Sequence, residues 1–180
     1  MRLEDEKLIK YMVTGKLRIT LSQILIGVGA IIQDDEGKIL LVKHKKERGG
    51  YWQGKWICPG GELEYGEQIE DGIKREVKEE TNLDVELITP LVPFDRVVKS
   101  SEPKGLKNRI KTIVSPVFAA KPQTSLHVIY IDYIAKLLGG KLEIGSDVGE
   151  ALWVEKKEIP KMWQELHEDT QRLLRVAGIV

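Results

Sequence analysis

The 180-residue chain is predicted to fold as one α/β domain of the α+β kind, a mixed sheet with helices packed over it. Three observations point there. Short β-rich runs lie on both sides of two helical segments, as a layered sheet-and-helix fold requires. Turn chemistry separates those runs, at residues 34–37, 59–61 and 139–140. Hydrophobic residues make up 42% of the chain and charged residues 31%, a balance that supports a buried core and excludes a largely disordered chain.

Taken in order, residues 1–16 carry Leu3, Leu8, Ile9 and Met12 among charges and are expected to form an arm, with the domain proper spanning 17–180. Leu17, Ile19 and Leu21 alternate with polar residues, and residues 24–32 are apolar enough for a strand buried on both faces. Asp34-Asp35-Glu36-Gly37 turns the chain into a second hairpin arm over residues 39–42. Gly49, Gly50 and Gly54 mark a loop before Trp56-Ile57-Cys58, and Pro59-Gly60-Gly61 breaks the chain again. A helix is expected over residues 67–81, ended by Asn82, which tolerates the left-handed conformation of a helix cap. Residues 85–88 read as a short strand and 94–111 as a charged loop or insertion. A β-rich run over 126–138 ends at Gly139-Gly140, residues 151–154 form a further strand, and 161–176 close the chain as a helix.

The charge balance, 28 basic against 28 acidic residues, leaves no global field to draw the protein onto nucleic acid or an anionic membrane. The longest apolar run is about half of a membrane span. Arg2, Glu4, Asp5, Glu6 and Lys7 open the sequence without the pattern of a secretory signal. The single cysteine, Cys58, rules out an intramolecular disulfide and a Cys-based zinc cluster. A reduced, cytoplasmic setting is expected.

One segment carries chemistry. With Ile69 placed at zero on a helical wheel, Ile73 and Val77 fall at roughly 40° and 80° and define the buried stripe. Glu76 falls at roughly 340°, Glu80 at roughly 20° and Glu79 at roughly 280°, so two of the three acids overlap or adjoin that stripe. Glu76 and Glu80 are also a like-charge pair four residues apart, which is destabilising unless neutralised. A divalent cation would neutralise it, because hard oxygen donors at this spacing suit magnesium. The alternative is a solvated helix face whose acids pair with Lys74, Arg75 and Lys78.

Written out, the segment is Gly61, five residues, Glu67, seven residues, Arg75-Glu76-Val77, one residue, Glu79-Glu80, one residue, Asn82-Leu83. It resembles the Nudix box, the signature of the Nudix hydrolases, with Asn82 standing where the family has glycine. The stretch 54–61 resembles the strand and turn before that box, and 147–154 the family's final strand with its acidic lead-in. The resemblance implies a Nudix fold, an α/β/α sandwich with a mixed sheet. It also implies a hydrolase, dependent on magnesium or manganese, that cleaves the diphosphate linkage of a nucleoside diphosphate derivative. By position, Glu76, Glu79 and Glu80 would bind metal with the Gly60 carbonyl as a further ligand. Arg75 would pair with Glu67 to hold loop and helix in register, and Glu79 or Glu80 would serve as general base.

Around the box, Tyr51 and Trp52 are candidates to stack on a base, and Asp147 and Glu150 sit where many members supply a further acid. Trp56 and Trp153 are expected in the core, and Cys58 is expected to be a small buried residue. His44 and His127 have no partner at metal-ligand spacing. The basic run Lys99, Lys104, Lys107, Arg109 and Lys111 reads as a solvated loop ahead of a phosphate clamp. Residues 94–98 and 127–133 look similar to segments of ADP-ribose pyrophosphatase-like members, with an insertion between them. A nucleoside triphosphate pyrophosphohydrolase of the MutT-like, house-cleaning kind stays open beside that reading, as does a Nudix domain that only binds nucleotide. The expected partner is a small nucleotide, with the N-terminal arm adding a strand or swapped element at a homodimer interface.

Overall fold

The first strand, β1 (Leu21–Gln33), is buried on both faces over residues 27–32, and its two faces build two cores. Val28, Ala30 and Ile32 join Leu40, Ile73, Val77 and Val85 on one side. Ile31 joins Ile39, Leu41, Trp56, Leu173 and Leu174 on the other. That split is the period-two alternation of a strand, with helices covering both faces. The computed structural model describes residues 21–45, 47, 52–100, 124–145 and 147–180. The expected arm, Tyr51 and most of the basic run lie outside the described residues. Residues 24–96 and 127–180 form one compact unit, and residues 97–100 and 124–126 belong to another.

After β1, the Asp34 carboxylate accepts the Glu36 and Lys38 N–H groups at 3.0 and 2.8 Å, and Gly37 takes a left-handed φ of 76°. The hairpin thereby returns as β2 (Ile39–His44). Two short strands follow, β3 (Trp56–Ile57) and β4 (Gly60–Glu62), then helix α1 (Ile69–Thr81) and β5 (Leu83–Pro90). Asn82 caps α1 at φ 59°, with its N–H donating to the Lys78 carbonyl. Next come β6 (Phe94–Ser100), β7 (Thr124–Gly140) and β8 (Val148–Val154). Among the described residues these strands form one mixed sheet with the order β3-β2-β1-β7-β5, while β4 pairs with β1 and β8 with β2.

Two expectations are corrected. Residues 94–100 are strand and not loop. Phe94 is buried while Asp95 and Val97 are exposed, so the charged residues that suggested a loop include those on the outward side of a strand. The closing helix also starts later than residue 161. A 3₁₀ stretch (Lys156–Glu165) containing Pro160 comes first, and only then helix α2 (Glu168–Val176). Between them Leu166 bridges to Trp56, and the His167 N–H donates to the Trp56 carbonyl at 2.9 Å. Pinning the chain to β3 there forbids a continuous helix. His167 then caps α2, its Nδ1 accepting the Asp169 N–H at 3.2 Å.

Candidate active site

Two acids of α1, Glu76 and Glu80, converge on the Gly60–Gly61 backbone, which β4 holds against β1 through the register Val28↔Gly61 and Gly29↔Gly60. Gly60 and Gly61 must be small for separate reasons. A Cβ on Gly60 would overlap the Val28 carbonyl oxygen, and one on Gly61 would overlap the Glu76 carboxyl. The sequence Gly60-Gly61 thus lets β4 lie close to β1 on one side and to the helix acids on the other.

Arg75 organises this corner. Its Nε and Nη2 donate to the two oxygens of Glu67 at 2.8 and 3.0 Å, the paired geometry that guanidinium and carboxylate favour. Nη2 also donates to the Glu62 carbonyl at 3.1 Å, and Nη1 to Glu76 at 2.8 Å and Glu79 at 3.3 Å. Glu67 in turn accepts the Glu64 N–H at 3.1 Å. The loop between β4 and α1 is tied to the helix through one side chain. Hydrogen bonding from Arg75 holds the Glu67 carboxyl below the usual range. Burial raises that of Glu76, with Arg75 opposing the rise.

Glu80 has a different environment. It is 5% exposed; Oε2 accepts the Gly60 N–H at 3.1 Å, and Oε1 lies 2.8 Å from His44 Nε2. Glu79 is 62% exposed at the side chain. The like-charge pair Glu76 and Glu80 is therefore satisfied here by separate protein groups, Arg75 for one and His44 with Gly60 for the other. The end of α1 is sealed by the 141–145 segment, where the Gly145 N–H donates to the Glu80 carbonyl at 2.9 Å.

Among the described residues no three acidic, His or Cys side chains converge into a ready metal cage. The donor chemistry nevertheless fits a hard cation. Two carboxylates, Glu76 against Gly61 and Glu80 against Gly60, flank the Gly60–Gly61 segment, and oxygen donors of this kind are those magnesium takes.

Other candidates scatter. Glu150 stands opposite Lys43 in the β2–β8 ladder and pairs with its Nζ at 3.3 Å. Asp147 is an exposed turn residue whose carbonyl accepts the Lys45 N–H at 3.0 Å. Trp52 lines the cavity between the sheet and α2. His127 pairs with Asp95 at 2.8 Å, away from the box. Cys58 is buried, and burial pushes its thiol pKa up, which makes it inert. Sequence spacing offers His44 no partner, yet the fold sets it on Glu80. Its one signal in the sequence is its place at the end of an apolar strand.

Comparison with known proteins agrees with the geometry. The family model described as NUDIX domain matches residues 24–174. An ADP-ribose pyrophosphatase of Methanocaldococcus jannaschii is 30% identical over 158 residues, 88% of this chain and 77% of that protein. The nucleoside triphosphatase NudI of Escherichia fergusonii is 28% identical over 83% of this chain and 94% of its own. A NUDIX hydrolase structure from Nitrosomonas europaea superposes with a TM-score of 0.62 at 19% identity, covering 87% of this chain and 89% of that one.

Proposed function

The chain belongs to the Nudix hydrolase family, and on that premise we propose that it hydrolyses the diphosphate linkage of a nucleoside diphosphate derivative such as ADP-ribose in the cytoplasm. It is a Nudix pyrophosphohydrolase. The observation that supports the reading best is the gathering of Glu76 and Glu80 around Gly60–Gly61, with Arg75 clamping Glu67 beside them.

Nudix hydrolases generally need a divalent metal. Glu76, Glu79, Glu80 and the Gly60 carbonyl are the groups that would hold magnesium or manganese. When bound, such a cation neutralises phosphate charge and acidifies bound water. Arg75 and Glu67 keep the β4–α1 loop in place, so the carboxylates meet substrate already oriented. Glu79 is the better general base of the two candidates. Both oxygens of Glu80 already have partners, whereas Glu79 faces solvent, where it can take a proton from an attacking water. Trp52 serves the substrate from the cavity, with Tyr51 beside it in sequence, and Glu150 and Asp147 act from the β8 side.

A second reading, hydrolysis of a nucleoside triphosphate to monophosphate and pyrophosphate, is favoured by the match to nearly all of NudI. The two separate in one experiment. The protein with magnesium is given ADP-ribose, other nucleoside diphosphate derivatives and the nucleoside triphosphates, and products are resolved by chromatography. AMP and ribose 5-phosphate from ADP-ribose support the first reading. Pyrophosphate from triphosphates, with ADP-ribose untouched, replaces it with the second.

A further inference from the structure

A helix leaves its last carbonyls without partners of its own, so its final turn frays unless something outside satisfies them. In α1 that turn carries Glu79 and Glu80, two of the acids assigned to the chemistry. The partners come from a distant segment, residues 141–145, on the way from β7 to β8. The Gly145 N–H donates to the Glu80 carbonyl at 2.9 Å, and the Glu143 N–H to the Thr81 carbonyl at 3.0 Å. The Asn82 side-chain amide donates back to the Lys141 carbonyl at 3.3 Å. Leu142 packs against the core that holds Ile73 and Val77, which anchors the segment to the helix it caps.

Gly145 sets the distance of approach. A Cβ there would overlap the Glu79 carbonyl oxygen and stand 3.3 Å from the Glu80 Cα. Gly145 does not use a left-handed φ, so the demand is for space alone. The obstacle is helix backbone, which cannot swing aside as the end of a side chain would. Glu80 is thus held twice, its carboxylate by His44 and Gly60 and its carbonyl by Gly145. Among the described residues the exposed Glu79 carboxylate meets Arg75 alone, at 3.3 Å, so its placement depends on its backbone against Gly145. Asn82 is the position where this chain departs from the family's glycine. At φ 59° it keeps the left-handed cap and adds the amide that reaches Lys141.

We propose that Gly145 and Asn82 are positioning residues of this hydrolase, clamping the last turn of α1 to residues 141–145 and so setting Glu79 and Glu80 for turnover. The proposal rests on the hydrolase reading above and extends it to residues outside the box. A misplacement of about 1 Å can cost a reaction about a hundredfold in rate. The clamp acts on the acids and not on the nucleotide, so its loss belongs in kcat.

The test uses the full chain with the best substrate of the panel above, and compares Gly145→Ala and Asn82→Gly with Gly139→Ala. A Cβ on Gly139 meets nothing, which makes that variant the control. Gly145→Ala should lower kcat about tenfold or more with KM within about twofold, and Gly139→Ala should change neither. Asn82→Gly keeps the left-handed cap and loses only the amide. Its urea midpoint should hold while kcat falls about threefold. A purely structural contact would do the reverse, lowering the midpoint and sparing kcat. The rise in melting temperature with magnesium, read without substrate, should shrink by about half or more in Gly145→Ala as Glu80 is displaced. Unchanged kcat and magnesium shift in Gly145→Ala overturn the proposal, and so does a loss confined to KM. If Gly145→Ala does not fold, an unchanged kcat in Asn82→Gly overturns it. Should wild type cleave no substrate while the magnesium shift still shrinks in Gly145→Ala, the hydrolysis reading falls alone.

Discussion

Nε2 of His44 lies 2.8 Å from Oε1 of Glu80, a buried contact across 36 residues of chain that joins the end of β2 to the last turn of α1. The tautomer protonated at Nε2 donates to the carboxylate, while the Gly60 N–H satisfies the other oxygen. Loss of the imidazole would take one hydrogen bond from a buried carboxylate. His44→Ala should therefore destabilise the fold by about 1–3 kcal/mol in urea melts, and His44→Gln by less because its amide can still donate. Turnover should fall with it as Glu80 loses its orientation. A His44→Ala protein with unaltered stability and activity would show the contact to be incidental.

Metal linkage offers a second check. Wild type should melt higher with saturating magnesium, whereas Glu76→Gln and Glu80→Gln should gain less, because a cation that binds only the native state stabilises in proportion to its affinity. Without metal, both variants should stay close to wild type, since each replaces a buried charge by a neutral isostere. Turnover should drop by orders of magnitude for Glu79→Gln, with the loss mainly in kcat. Equal magnesium shifts in all three proteins would reduce these acids to a solvated helix face.

Gly61 should not tolerate a methyl group. The added Cβ would overlap the Glu76 carboxyl, which Arg75 and the helix hold in place. Gly61→Ala is expected to cost about 1–3 kcal/mol, the usual range for overpacking, and to abolish the magnesium shift along with it. Gly66→Ala is the control. Nothing lies near its Cβ, and its φ of 84° should cost only about 1 kcal/mol of backbone strain. Similar metal responses from both variants would argue that Glu76 moves aside without consequence.

Asp132 should leave a mark on the pH dependence of stability. Its folded pKa, about 7, lies above the ordinary 3.8, so the folded state holds the proton more tightly than the unfolded one. The contribution is intact below pH 4, is lost as pH rises toward 7 and levels off above it. At about 1.4 kcal/mol per pKa unit the full loss is at most about 4 kcal/mol. Cys58, Asp169 with Arg96 and Tyr130, and the nearby His167 face the same region and are present in both proteins compared. Asp132→Asn should thus gain stability relative to wild type from pH 5 to 7 in urea melts. A difference that stays constant across that range would mean the carboxyl is not perturbed.

The box is legible in the sequence because its members lie within about twenty residues of one another, on one turn and one helix. Helical period alone puts Glu76 and Glu80 beside the buried stripe, and a local steric rule is enough to cast Asn82 as a left-handed cap. The double burial of the middle of β1 is equally local, since a continuous apolar run needs no partner to be visible. The strand at 94–100 is not legible in this way, because its composition is that of a loop and only pairing within a sheet makes such a sequence extended. The late start of α2 is hidden for a similar reason, because residues near 166 follow Trp56 and not their own helical pattern.

By itself, then, the sequence determined the chemistry-bearing helix, its cap, the glycine pair before it and the family they indicate, all through short-range periodicity and spacing. Tertiary structure alone decided that Arg75 would serve Glu76 and Glu79 as well as Glu67, that His44 would hold Glu80, and that Asp132 and Thr170, 38 residues apart in sequence, would share one cavity. Those pairings depend on which strand faces which helix. Burial then sets their energies, because a carboxyl far from water needs a partner that only a distant part of the chain can bring.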